Sequence, residues 1–73
     1  MKLTEVESSM IRAVGYDGDD CELEVWFNSG KIYRYEDVPP EEYEGLINSD
    51  SKGRYMRSNI IDMYSDYQVK RRR

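Results

Sequence analysis

The chain has 73 residues, a formal net charge of −4, one cysteine (Cys21) and no histidine. A domain of this length buries only about 60% of its unfolded surface, so one modest core is expected and a deep catalytic cleft is not. One cysteine excludes an internal disulfide framework, the missing histidine removes the usual general base and the His-dependent nucleophiles, and a zinc site would have to rest on carboxylates; neither enzyme activity nor a cofactor or metal is expected.

Residues 1–8 form an N-terminal segment that turns polar at once over Met1-Lys2-Leu3-Thr4-Glu5 and lacks a signal-peptide hydrophobic region. No apolar run approaches the roughly 20 residues of a membrane span, so no membrane association is expected, and the cytoplasm is the natural location. Nine aromatic residues, seven of them Tyr, argue for a folded chain. A single domain is expected over 9–64.

Met10 to Tyr16 (MIRAVGY) is apolar and β-branched enough for a strand, and Asp17-Gly18-Asp19-Asp20 reads as a turn. Cys21 to Phe27 (CELEVWF) alternates, with Cys21, Leu23, Val25 and Phe27 on one side and Glu22, Glu24 and Trp26 on the other. Asn28-Ser29-Gly30 separates it from Lys31 to Tyr35. A two-residue loop would set Val25 against Arg34. A three-residue loop with Gly30 in the left-handed position pairs Val25 with Tyr33, Leu23 with Tyr35, Glu24 with Arg34 and Trp26 with Ile32. The second register keeps the faces consistent and places an ion pair across the strands.

Val38-Pro39-Pro40-Glu41-Glu42 starts a helix, because proline suits the first helical position and glutamates suit the positive end of the dipole. Tyr43, Leu46 and Ile47 follow as one apolar stripe. Asn48-Ser49-Asp50 breaks it, and Asp50 or Ser51 is placed to cap a second helix over 51–58, with Tyr55 and Met56 facing the core. Ile60 and Ile61 are expected to pack while residues 65–73 trail off as a flexible basic tail ending Lys70-Arg71-Arg72-Arg73. The resulting fold class is α+β: a three-stranded antiparallel meander packed against two short C-terminal helices.

Ile11, Val14-Gly15-Tyr16, Leu23-Glu24-Val25, Ser29-Gly30 and Tyr33-Arg34-Tyr35, followed by Val38-Pro39, Ser51-Lys52-Gly53, Tyr55 and Asn59-Ile60, resemble the KTSC domain. That family occurs as free-standing small proteins and at the C-terminus of some lysyl-tRNA synthetases. Its Tyr-x-Tyr mark corresponds to Tyr33 and Tyr35, and the likeness runs from Ser8 to Tyr64. The resemblance implies a small binding domain and, through the synthetase attachment, RNA association; it implies no aminoacylation, for which the chain has no room.

Charge sharpens the functional alternatives. Residues 1–50 carry four basic and thirteen acidic side chains, a net −9, and residues 51–73 seven basic and two acidic, a net +5. Ser51, Lys52, Gly53, Arg54 and Arg57 form a candidate anion or RNA site, weak and salt-sensitive; equally, Ser51 caps, Gly53 allows close packing and the cations serve the fold. Ile11, Trp26 and Ile32 share the face opposite the core, a candidate contact for a protein partner unless the chain ends cover Trp26. Tyr33 and Tyr35 are either core residues or a stacking platform for bases, and the chosen register favours the core. Cys21, among acidic neighbours, reads as a small apolar residue rather than a reactive thiol. Asp17, Asp19, Asp20 and Glu22 lack the spacing and distal Glu of a calcium loop and read as a solvated turn.

Overall fold

The computed structural model describes residues 3–70. One antiparallel sheet holds five strands in sequence order: β1 (Leu3–Glu5), β2 (Ile11–Asp17), β3 (Glu22–Phe27), β4 (Ile32–Tyr35) and β5 (Asp66–Val69). Helix α1 (Pro40–Asn48), helix α2 (Lys52–Tyr55) and a π-helical turn, Met56–Ile60, lie between β4 and β5.

The expected three-stranded meander is therefore the centre of a wider sheet. Leu3–Glu5 of the N-terminal segment pairs with Ala13–Gly15 on one side. Asp66–Val69, expected in a flexible tail, pairs with β4 on the other, and Glu36 N–H donates to the Ser65 carbonyl at its entry. Both added strands are short and carry few apolar residues; backbone pairing at a sheet edge holds them, not an apolar face. Arg71–Arg73 of the expected tail lie outside the described residues.

The β3–β4 register is the one that a three-residue loop demands: Leu23 faces Tyr35, Glu24 Arg34, Val25 Tyr33 and Trp26 Ile32. Gly30 takes φ +99° and its N–H donates to the Phe27 carbonyl. On β2 a one-residue irregularity between Ile11 and Ala13 shifts the pairing, so that Ile11 sits opposite Phe27 while Ala13 sits opposite Trp26. A bulge of this kind reverses the face of everything before it. Ile11 thus enters the core and is fully buried. Its expected place beside Trp26 and Ile32 is corrected: Ala13 stands there instead.

One face of the sheet contributes Ile11, Val14, Leu23, Val25 and Tyr35 to the core; Leu46 of α1 and Met56 and Ile60 of the π-turn close over them, with Val38 between the layers. Pro40 occupies the first turn of α1, as read from the sequence. Tyr16 stacks on Tyr43 with ring centroids 4.9 Å apart, and its hydroxyl donates to the Val38 carbonyl, tying the sheet to the start of α1. Burial of that hydroxyl, helped by Cys21 beside it, pushes the Tyr16 pKa up to about 12.

Space for a side chain exists at Gly30, so the requirement there is conformational alone. Gly30→Val should destabilise the domain by about 1 kcal/mol or more through strain at positive φ. Chemical denaturation of the two proteins measures it; equal midpoints would show that the loop adapts without cost.

Candidate functional site

After α1 ends at Asn48, the chain reverses through Ser49. The Ser49 hydroxyl accepts from Ser51 N–H at 3.1 Å and donates to the Ser51 carbonyl at 3.0 Å. The expected cap is not formed: the Ser51 side chain makes no capping bond to α2, and Ser49 organises the turn instead. Lys52 Nζ donates to the Ser49 carbonyl at 2.9 Å, satisfying an acceptor just past the end of α1. Of the three candidate cations, Lys52 is therefore engaged in the fold.

Gly53 is buried, and a Cβ there would sit 3.3 Å from Met10 Cβ and Sδ, so the small residue lets α2 approach the segment before β2. That segment is fixed in turn. Ser8 Oγ accepts from the N–H groups of Met10 and Ile11, and Asn28 Nδ2 donates to the Ser8 carbonyl. A polar groove of about 160 Å³ runs between the two, lined by Glu7, Ser8 and Ser9 on one wall and Asp50 to Arg54 and Arg57 on the other. Arg54 and Arg57 are exposed and form no ion pair among the described residues. Ser51, Lys52, Gly53, Arg54 and Arg57, singled out in the sequence, thus line a single groove.

The π-turn adds a neighbour that the sequence did not announce. Met56 and Ile60 are buried at its ends, and Arg57, Ser58 and Asn59 stand exposed in a row between them. The apolar spacing over Gly53, Met56 and Ile60 is that of an ordinary α-helix, so nothing in the pattern signals the wider turn. A second, open groove of about 300 Å³ lies on the other side of Arg54, with Tyr55, Ser58 and Asn59 in its wall. Tyr55 is held firmly there. Its hydroxyl donates to Glu42 Oε1 at 2.6 Å while Tyr64 donates to Glu42 Oε2 at 2.9 Å. Its ring end lies so close to Gly45 that a Cβ on Gly45 would collide with the hydroxyl. The hydrogen bond to Glu42, then burial, pushes the Tyr55 pKa up to about 12; burial, then Glu42, raises that of Tyr64.

The other candidates separate. Tyr35 is 3% exposed and the partly buried Tyr33 packs edge-to-face on Phe27 at 6.0 Å, so the Tyr-x-Tyr pair belongs to the core layer. On the opposite face Trp26 is half-buried and donates from Nε1 to Glu24 Oε2 at 2.6 Å, while Ile32 is 6% exposed. Asp17 Oδ1 accepts from the N–H groups of Asp19 and Asp20, which makes the acidic turn a hydrogen-bonded one. Among the described residues no three His, Cys, Asp or Glu side chains are grouped to hold a metal, and no helix is long and apolar enough to cross a membrane.

The KTSC domain model matches residues 7–64. The chain belongs to the KTSC domain family. A KTSC domain protein from Yersinia pestis, solved by crystallography, superposes with a TM-score of 0.93 at 29% identity, covering 94% of this chain and 97% of that one. An uncharacterized protein of Stutzerimonas stutzeri is 49% identical over 55 residues, 75% of this chain and 78% of the relative. A lysine–tRNA ligase of Nostoc punctiforme is 36% identical over 58 residues, 80% of this chain but 10% of the ligase. The chain thus spans most of the small relatives and about a tenth of the ligase's length.

The raised tyrosine pKa values fix the sign of the alkaline response. The unfolded chain releases tyrosine protons near pH 10, before the folded chain does, so above that pH the unfolded state binds fewer protons and stability falls. The contribution of Tyr55 should be fully present below about pH 10 and lost as pH rises through about 12. Thermal unfolding between pH 9 and pH 12 should show a flatter decline for Tyr55→Phe than for the native chain; identical slopes would remove Tyr55 from the linkage.

Proposed function

We propose that the chain is a non-catalytic accessory domain that associates weakly with RNA, engaging phosphate through Arg54 and Arg57. One observation carries this reading: two exposed guanidinium groups, without an ion-pair partner among the described residues, border the same polar groove. Guanidinium binds phosphate through two parallel hydrogen bonds, so a pair of them on one rim suits a polyanion better than an isolated lysine would. Two relatives are lysine–tRNA ligases, proteins whose substrate is an RNA, and this supports RNA over other polyanions. A cytoplasmic location goes with the same reading. Glu7 and Asp50 in the groove, and the acidic excess of residues 1–50, oppose a long phosphate track. The footprint is accordingly narrow and the affinity low.

A second reading keeps the Trp26 face as a protein contact. Tyr67, 42% exposed and paired with Arg34 across the β4–β5 ladder, favours it by adding an aromatic surface on that side of the sheet. The burial of Ile32 and the transfer of Ile11 to the core reduce the apolar area available.

The two readings part under salt. A single-stranded RNA oligomer titrated at low salt should shift the amides of residues 51–59, and binding should fall steeply as salt rises. Arg54→Ala with Arg57→Ala should abolish the shifts while leaving the melting temperature nearly unchanged, because both side chains are exposed. Absence of binding at low salt, or shifts gathered around Trp26 and Tyr67, would overturn the phosphate reading and favour the protein contact.

A further inference from the structure

The two grooves are adjacent, and their chemistry differs. Asp50, Ser51 and Arg54 belong to both, forming a shared wall. On one side of it lie the Arg57 guanidinium and Ser8 and Ser9, with the acidic Glu7 at the far wall. On the other lie Tyr55, Ser58 and Asn59, with Ser49 beyond them. The first side suits a phosphate, while the second offers an aromatic wall and an amide with both donor and acceptor, the groups that read a nucleobase edge.

We propose that the paired grooves form a site for one ribonucleotide unit, with the phosphate between Arg54 and Arg57 and the attached nucleoside against Tyr55, Ser58 and Asn59. The proposal rests on the RNA reading above and deepens it from a charge contact to a nucleotide-sized recognition site. Size agrees with it. About 300 Å³ is the lower end of small-ligand pockets, enough for one nucleoside. A 5′-phosphate is joined to its ribose through one ester oxygen, so phosphate and nucleoside must occupy neighbouring compartments, as these grooves do.

Tyr55 is anchored without any ligand. Glu42 holds the Tyr55 hydroxyl, and Gly45 gives the ring the space that it occupies, so little ordering is required of it on binding. Among the described residues Asn59 makes one long contact, 3.4 Å from Nδ2 to the Tyr55 carbonyl, and its side-chain oxygen has no donor there. The Asp50 carboxylate disfavours an anion on the shared wall, but it is an acceptor suited to the ribose hydroxyls that lie between phosphate and base. It thus gives the site a means of distinguishing ribose from deoxyribose.

The test uses the full chain, isotope-labelled, with four probes at low salt: inorganic phosphate, adenosine 5′-monophosphate, its 2′-deoxy analogue and a single-stranded RNA oligomer. Phosphate should move amides near Gly53 and Arg57 alone, and the mononucleotide should move those together with Tyr55, Ser58 and Asn59. The deoxy analogue should bind at least about fivefold more weakly, the worth of one hydrogen bond. Asn59→Ala, an exposed substitution, should weaken the mononucleotide by a similar factor and leave phosphate binding unchanged. If the mononucleotide and phosphate perturb the same amides with the same affinity, the nucleoside groove is refuted while the phosphate reading stands. Equal affinity for the two sugars overturns the ribose assignment. Shifts with RNA but none with the mononucleotide also overturn the nucleotide site alone, whereas silence from every probe overturns both readings.

Discussion

A carboxylate buried in the middle of the sheet constrains the rest of this fold. Glu24 is 2% exposed on a central strand, on the face away from the helices. Burying an ionised carboxylate is tolerable only when it is paired and hydrogen-bonded. Arg34 supplies Nε to Oε1 at 2.7 Å from the neighbouring strand, and Trp26 supplies its indole N–H to Oε2 from two residues along. Arg34 also reaches Glu22 at 3.7 Å, and the bond to Glu24 raises its already high pKa. A one-residue slip would exchange the two faces. The carboxylate would then lie in the layer of Leu46, Met56 and Ile60, far from its guanidinium. The clasp on one face therefore fixes which residues reach the core on the other.

With the faces fixed, the position of the helices follows. Leu23, Val25 and Tyr35 make the surface on which Leu46, Met56 and Ile60 settle. Tyr16 holds the start of α1 through Val38, and Glu42 holds Tyr55 and Tyr64 from the α1 side. Gly45 and Gly53 are the two close approaches of the helical layer, one toward Tyr55 and one toward Met10. Between those anchors the chain from Ser49 to Asn59 has little freedom, and its polar residues face outward as a group. A marginal domain can present a polar surface in this way without enclosing a cavity: the core sets the backbone, and the surface carries short side chains and two arginines.

The residues that obey a simple period were legible in the sequence. Cys21 to Phe27 alternates, and combining that alternation with the loop length at Gly30 yields the β3–β4 register residue by residue. Pro40 and the glutamates behind it announce α1. Features that depend on a neighbour in space were not legible. The bulge at Arg12 moves Ile11 into the core and has no local signature, since the same seven residues alternate acceptably without it. Leu3–Glu5 and Asp66–Val69 become strands because a sheet edge is beside them, and their own composition is polar. The candidate cations were found by charge, but charge does not show that Lys52 is committed to the Ser49 carbonyl, or that Ser49 rather than Ser51 organises the turn. The charge pattern does not place Ser58 and Asn59 beside the cations, because the π-turn that presents them follows from tertiary packing.

The Glu24–Arg34 clasp can be tested apart from everything built on it. Glu24 keeps 3% side-chain exposure and Arg34 35%, so the pair stands between a buried bridge and a surface one. A double-mutant cycle with Glu24→Gln, Arg34→Gln and both together, read by chemical denaturation, isolates their interaction. A coupling of about 1 kcal/mol or more is expected if the clasp sets the register. Additivity within about 0.3 kcal/mol, with both single variants as stable as the native chain, would show that the sheet finds its register without the pair and would contradict the place given to it here.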